Sequence, residues 1–251
     1  MQQPEATATR VLLSEDRGAV RILTMNRPDK RNALDSALTA ALLEALMQAG
    51  SDETVGAVVL AGAGKGFCAG ADLGEFKDLT PENQDKVTER AELTYRLHKA
   101  LQELPKPVVS AVQGAAVGGG AGLAIGCDMM VASSDLKFGY PELRHSIVPA
   151  IVMTGLQRQF GRKLAFELIA TGRLLDGQEM MKLGLANRLV EPGEVLNTAL
   201  ALAEECARPS RVAMSATKAL FYRVADLPYD AAMAAGRDVN TIMRGFRSDK
   251  K

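Results

Sequence analysis

Twice in this chain an apolar run ends in a glycine-rich turn, and that repetition restricts the fold more than any other feature. The first run is Val58-Val59-Leu60-Ala61, followed by Gly62-Ala63-Gly64-Lys65-Gly66-Phe67-Cys68-Ala69-Gly70-Ala71-Asp72-Leu73. The second starts after Pro107, passes through Val108 to Gln113, and reaches Gly114, Gly118, Gly119, Gly120 and Gly122 with only Ala and Val between them. Unbroken apolar runs of this length suit strands buried on both faces. Glycine at such density costs backbone entropy and supplies no packing, so its use implies close approach of the backbone to something else. Leu123-Ala124-Ile125-Gly126-Cys127 continues with helical spacing, which puts a helix start at Gly119 and Gly120. Free N–H groups at a helix start attract negative charge. If the two strands are neighbours in one sheet, one amide from each turn can converge on a single oxygen, the geometry of an oxyanion hole.

Other readings of the glycines compete with this one. Gly118 to Gly122 can serve only to let a helix touch a strand. Gly62-Ala63-Gly64 follows a strand as a dinucleotide-binding turn does, but Phe67 stands where the third glycine belongs and no acidic residue ends a following strand at the usual distance. Gly64-Lys65-Gly66 lacks the Ser or Thr that a phosphate loop places after its lysine.

The remaining sequence reads as scaffold. Residues 10–13 and 19–25 form a strand pair through Asp16-Arg17-Gly18, and Leu34, Leu38, Leu42 and Leu46 mark one helix face. Residues 55–61 form the next strand, and Leu93, Leu97, Leu101 and Leu104 the apolar side of a helix that Pro105 and Pro107 end. Strands are expected at 128–132 and 136–140. From Ala150 onward the pattern is almost wholly helical, with segments at 151–160, 164–170 and 179–183 and three longer ones after Pro192, Pro209 and Pro228.

A length of 251 residues with no Gly/Ser-rich or charged linker fits one α/β domain with a helical C-terminal part. Its 30 basic and 30 acidic residues cancel and Trp is lacking, so neither a nucleic acid nor a membrane surface is a favoured partner. Three scattered cysteines, Cys68, Cys127 and Cys206, fit reduced thiols in a cytoplasmic setting. Only His98 and His145 are present, so no metal site is expected. Met1-Gln2-Gln3-Pro4-Glu5-Ala6 does not look like a signal peptide, and no apolar run approaches a membrane span.

Taken together, Arg31-Asn32-Ala33-Leu34, the Gly66 to Leu73 stretch, Gly114 to Gly120, Cys127-Asp128 and Phe138-Gly139-Tyr140-Pro141-Glu142 resemble the signature of the crotonase (enoyl-CoA hydratase/isomerase) superfamily. Thr171-Gly172-Arg173 and Gly184 to Val190 are similar to its closing segments, so the likeness runs from about Val11 to Val190. It implies an α/β crotonase fold: a spiral of ββα units over 1–190, then a helical region over 191–251 for trimers, often paired into hexamers, and for CoA cover. It implies an acyl-CoA thioester substrate from fatty-acyl metabolism and no separate cofactor, coenzyme A being part of the substrate. Ala71 and Gly119 would donate N–H groups to the thioester oxygen, each such donor worth on the order of 10²–10³ in rate. Glu142 would be the acid/base. Substrate contacts are implied for Lys30, Arg31, Ala33, Ala69, Gly70, Asp72, Leu73, Gly118 and Gly122, with Lys30 and Arg31 near the CoA phosphates.

Hydratases of the family carry a second glutamate where this sequence has Gly122. Hydration is easiest with two carboxylates, whereas moving a double bond from the 3- to the 2-position needs one base. Gly122 therefore tilts the expectation toward isomerisation, or toward a hydratase subset that likewise lacks this glutamate, and toward room for a bulkier or branched acyl chain. His145 reads as a surface histidine that could reach the site, and Cys68 as a packed residue. Asp72 reads as a helix cap and Asp128 as a strand-entry residue. Nine basic residues (Arg208, Arg211, Lys218, Arg223, Arg237, Arg244, Arg247, Lys250, Lys251) form a C-terminal excess suited to CoA phosphates or, in some relatives, RNA. A crotonase-fold thioester hydrolase and a non-catalytic CoA- or RNA-binding relative are the alternatives.

Overall fold

The computed structural model describes residues 10–246; the N-terminal hexapeptide discussed above and Arg247, Lys250 and Lys251 lie outside them. Strands are numbered β1 to β9 in chain order. β1 (Leu12–Arg17) and β2 (Val20–Met25) form an antiparallel hairpin. β3 (Ala57–Gly62), β4 (Val108–Val112), β6 (Met129–Ser133) and β9 (Arg188–Val190) then add in parallel, giving the order β1-β2-β3-β4-β6-β9. A second sheet holds β5 (Ala115–Val117), β7 (Lys137–Gly139) and β8 (Leu174–Leu175) in the order β5-β7-β8.

Parallel neighbours need crossovers, and helices supply them. α1 (Ser36–Ser51) joins β2 to β3, and Asp35 caps its start by accepting from Leu38 N at 2.8 Å. α2 (Gln84–Glu103) joins β3 to β4 and stops before Pro105 and Pro107. α3 (Gly119–Gly126) begins on the glycines that follow β5.

Side chains alternate across the main sheet with period two. Leu23, Met25, Val58, Leu60, Val108 and Val112 face α1, α2 and α3, while Val20, Ile22, Val59, Val109 and Val131 face the other way. Val195, Ala199, Leu200 and Ala203 of α7 (Val195–Ala207) seal that second face. α7 is thus a layer of the sheet core.

Three short strands depart from the expected pattern. β5 lies inside what reads as a glycine turn, because three residues of Ala and Val carry no usable alternation. β8 and β9, of two and three residues, interrupt the helical C-terminal third for the same reason. The remaining helices are α4 (Val152–Phe160), α5 (Arg162–Thr171), α6 (Gly177–Lys182), α8 (Arg211–Val224) and α9 (Tyr229–Met243). No helix among the described residues is long and apolar enough to cross a membrane.

Among the described C-terminal basic residues, Lys218, Arg211 and Arg237 are engaged with other groups of the chain. Lys218, only 6% exposed, donates to Asp128 Oδ2 at 2.7 Å and to the carbonyls of Leu101 and Lys106. Asp128 also accepts from Tyr222 Oη and from Val108 N at the start of β4. Asp128 thus does sit at a strand entry, and it docks α8 there as well. Arg211 donates to Thr54 O and Arg237 pairs with its neighbour Asp238.

Removing one partner of a buried pair leaves the other desolvated and unpaired. Lys218→Ala is expected to lower unfolding free energy by about 3–5 kcal/mol, read from urea melts. A loss below about 0.5 kcal/mol, the level of a neutral surface change, would contradict the docking role.

Candidate active site

β3 and β4 are adjacent and parallel, Val58 opposite Val108 and Leu60 opposite Ser110, so their two glycine turns emerge side by side. The turns then run along each other. Phe67 N donates to Gln113 O, Cys68 N to Ala115 O, and Val117 N back to Cys68 O. Side chains would prevent this approach. A Cβ on Gly114 would lie 2.1 Å from Lys65 O, and one on Gly120 2.4 Å from Cys68 O. Asn32, fully buried at φ +56°, pins the first turn by donating to the carbonyls of Ala63, Gly66 and Phe67.

Past Cys68 the chain pairs with the loop ahead of α1. Ala69 N donates to Arg31 O, Leu34 N to Gly70 O and Asp72 N to Leu34 O. Successive amides of extended chain point to opposite sides. With Gly70 and Asp72 bonded to Leu34, the N–H of Ala71 is turned the other way, toward Gly119. A Cβ on Gly119 would lie 3.9 Å from Ala71 N, and one on Gly70 3.5 Å from Gly119 N. Gly119 opens α3, so its N–H has no partner within the helix. Neither amide donates to an acceptor among the described residues.

Glu142 reaches the same place from β7. This strand pairs in parallel with β5, Gly118 N donates to Gly139 O at 2.9 Å, and Pro141 leads into a single 3-10 turn, Glu142–His145. The carboxylate lies over Gly118, where a Cβ would be 2.9 Å from Glu142 Oε1; Gly118, at φ +55°, leaves that space free. Oε2 is enclosed and has no hydrogen-bond partner. Burial pushes the Glu142 pKa up, against a smaller opposing contribution from its own backbone. The Tyr140 hydroxyl is likewise enclosed and unpartnered, its pKa raised by burial first and then by the charge of Glu142.

A cavity of about 520 Å³ opens beside these groups, lined by Ala69, Gly70, Ala71, Leu73, Gly118, Gly119 and Glu142 and walled by apolar side chains such as Phe76, Leu79 and Val87. Among the described residues its ionisable groups are Glu142, His145 and Arg90, so one carboxylate of these faces it. His145 is exposed at the rim.

Five of the residues expected at the substrate do not line this cavity. Lys30 and Arg31 are exposed in the loop before α1, and Arg31 serves the site through its carbonyl. Ala33 is buried with its carbonyl held by Arg27. The Asp72 side chain caps no helix: Oδ2 pairs with Arg27 at 2.8 Å and Oδ1 accepts from Gly74 N, and Arg27 in particular holds its pKa below the usual range.

Gly122 offers no room for a bulky acyl group. A Cβ there would meet Val152 Cγ1 at 2.7 Å and His98 Cε1 at 2.8 Å. His98 Nε2 is enclosed and unpartnered, and burial, helped by the charge of Arg90, lowers the ring's pKa to about 4, so it is neutral near pH 7. Cys68 is a packed residue whose thiol burial pushes up to about 12.

With this geometry in hand, the comparisons decide the family. A sequence profile described as enoyl-CoA hydratase/isomerase matches residues 15–245. The chain belongs to the enoyl-CoA hydratase/isomerase family. It is similar to a short-chain-enoyl-CoA hydratase of Clostridium acetobutylicum, 36% identical over 225 residues that span 89% of this chain and 85% of that protein. It is also similar to a 2,3-dehydroadipyl-CoA hydratase of Escherichia coli, 35% identical over 89% of this chain and 86% of the other. Among solved structures, an enoyl-CoA hydratase of Mycobacterium smegmatis superposes with a TM-score of 0.87 at 35% identity, covering 96% of this chain and 92% of that one. The crotonase fold expected from the motifs is the fold of this family member.

Asn32, Arg27 and Arg90 carry no role in the motif-level reading, yet they hold the site together. Arg90 was the most accessible of them: it lies seven residues before Leu97 and eleven before Leu101, so it falls on the buried stripe of α2.

The crowding at Gly122 can be measured. Gly122→Ala is expected to cost about 1–3 kcal/mol through overpacking despite the helix's preference for Ala. Adding Val152→Ala should recover much of that loss relative to Val152→Ala alone. Additive losses in the two-variant cycle would show that Val152 is not what fills the space.

Proposed function

We propose that this chain is an enoyl-CoA enzyme that shifts a double bond in an acyl-CoA thioester, with Glu142 as its one acid/base. The supporting observation is that a single half-buried carboxylate faces the cavity, beside two unpaired amides.

The chemistry follows from that arrangement. With a 3-enoyl thioester whose carbonyl oxygen accepts from the N–H groups of Ala71 and Gly119, the Glu142 carboxylate takes a proton from C2. The electron pair moves onto the thioester oxygen as a dienolate, and the two donors stabilise charge absent from the ground state. Glu142 then returns the proton to C4, leaving the double bond between C2 and C3 with no net gain or loss of atoms. Burial suits both halves, because a raised pKa makes the carboxylate a stronger base and still lets it give the proton back.

Hydration is the second reading, favoured by relatives whose names are hydratases. Glu142 would then have to activate water and protonate carbon by itself. Assays with 3-enoyl-CoA and 2-enoyl-CoA separate the two, and release of free CoA would instead mark a thioester hydrolase.

A homo-oligomer is part of the proposal. Phe166 on α5, Phe221 on α8, and Tyr229, Met233 and Ile242 on α9 are all well exposed, from 59% to 77%. Apolar residues on that scale fit a face covered by further copies of the chain, as a trimer or a pair of trimers. Sedimentation at three or six chain masses is expected; a monomer at micromolar concentration would remove this part.

Glu142→Gln is expected to lower kcat by about 10²–10⁴. In the wild type kcat/KM should fall as pH drops through the Glu142 pKa, so the acid limb should lie above the ordinary carboxylate range. A pKa raised in the folded state means that Glu142 favours folding below its unfolded value, and that this contribution is lost as pH rises through the folded one. Glu142→Gln should therefore hold or raise Tm at neutral pH. Wild-type activity in Glu142→Gln would remove the residue from the mechanism.

A further inference from the structure

We propose that Arg90 is a positioning residue for the Ala71 amide, acting through Leu34. The inference rests on the reading of Ala71 and Gly119 as donors to a thioester oxygen.

Arg90 stands on α2 at the cavity wall, and its side chain is 10% exposed. Its guanidinium reaches three acceptors in three directions. Nε donates to Glu75 Oε2 at 3.0 Å, Nη2 to Leu34 O at 2.9 Å, and Nη1 to Thr94 Oγ1. The Leu34 carbonyl is the one that accepts from Asp72 N at 3.0 Å, while Leu34 N donates to Gly70 O at 2.7 Å. Leu34 therefore grips the residues on both sides of Ala71 and fixes the direction of the N–H between them. Arg90 fixes Leu34.

Glu75 completes the clamp. Its Oε2 receives Arg90 and its Oε1 accepts from Ser36 N at 2.9 Å, so the ion pair ties α2 to the chain on both sides of Asp35. Arg27 holds Asp72 at 2.8 Å and Asp35 at 3.0 Å. The extended strip 69–72 is thus held by Arg27 directly at Asp72 and by Arg90 through Leu34. Hydrogen bonds from Ser36 and Arg90 outweigh the effect of burial on Glu75 and keep it a carboxylate.

Arginine is the residue this geometry asks for. A planar guanidinium can serve three diverging acceptors at once, and an ammonium on a flexible stem cannot hold the same orientation. A shift of about 1 Å in a catalytic donor can cost on the order of 10² in rate. Such a shift weakens only interactions that involve the carbonyl oxygen.

The test uses the whole chain as Arg90→Met, Arg90→Lys and Glu75→Gln, beside wild type and Glu142→Gln. The expected result for Arg90→Met is a kcat lower by about 10- to 100-fold with KM changed by less than about threefold. An alkyl-CoA thioether, which has no carbonyl oxygen, should bind the variant as tightly as wild type, while a saturated acyl-CoA thioester should bind more weakly, within that same threefold. The infrared carbonyl band of that bound thioester, lowered in wild type by two N–H donors, should move back toward its position in water. Glu75→Gln should shift it the same way by less, and Arg90→Lys should restore it only in part. Loss of thioether affinity in step with kcat would make Arg90 a direct substrate contact and overturn the inference. So would an unshifted carbonyl band in a folded Arg90→Met, judged by Tm. A wild-type band that is not lowered, together with full activity in Glu142→Gln, would defeat the reading of the site itself and this inference with it.

Discussion

The site depends on how closely two stretches of backbone can lie together. Parallel pairing of β3 with β4 brings their ends to one edge, but the turns beyond them meet only because Gly114 and Gly120 have no side chain to intervene. Each of these two glycines would place a Cβ within 2.4 Å of a carbonyl oxygen on the facing turn, and Gly62 would place one 2.3 Å from Phe67 O within its own turn. The entropic cost of glycine is thereby offset by backbone hydrogen bonds between the turns and by Asn32, whose one amide group donates to three carbonyls of the first turn. The unpaired amides of Ala71 and Gly119 follow from this framework: Ala71 N–H is turned away from Leu34, which bonds both its neighbours, and Gly119 N–H lies at the open start of α3.

What the sequence makes legible tracks how local each feature is. Long helices with apolar stripes and the strands before each glycine turn are readable because periodicity and glycine are local signals. Ala71, Gly119 and Glu142, picked out by the family resemblance rather than by the glycines alone, all line one cavity. The short strands β8 and β9 are not readable, since they exist only through their partners across the chain. Where the side chains of Lys30, Arg31 and Asp72 go is not readable for a related reason. A charged side chain in a loop can face solvent, substrate or another residue, and for Asp72 the choice is made by Arg27, 45 residues away.

Gly122 teaches a different lesson. A glycine in place of a larger residue suggests empty space only if its neighbours stay where they are. Here Val152 from α4 and His98 from α2 pack against it, so the small residue answers larger ones elsewhere and leaves the cavity wall closed. The consequence is chemical as well as steric, because no second carboxylate can enter from that side without displacing the imidazole or the valine.

The polar atoms around the cavity also divide into two kinds. Those of the clamps, on Arg27, Arg90, Asp72 and Glu75, are paired and hold the backbone in place. Glu142 Oε2 and the Tyr140 hydroxyl are enclosed and unpaired, a state that costs folding free energy. The contrast with the paired groups of the clamps bears on the proposed base: leaving the Glu142 carboxylate unsatisfied costs stability and keeps its pKa raised. A hydrogen-bond donor beside Glu142 would stabilise its charged form and lower its pKa, and so would weaken it in the role proposed for it.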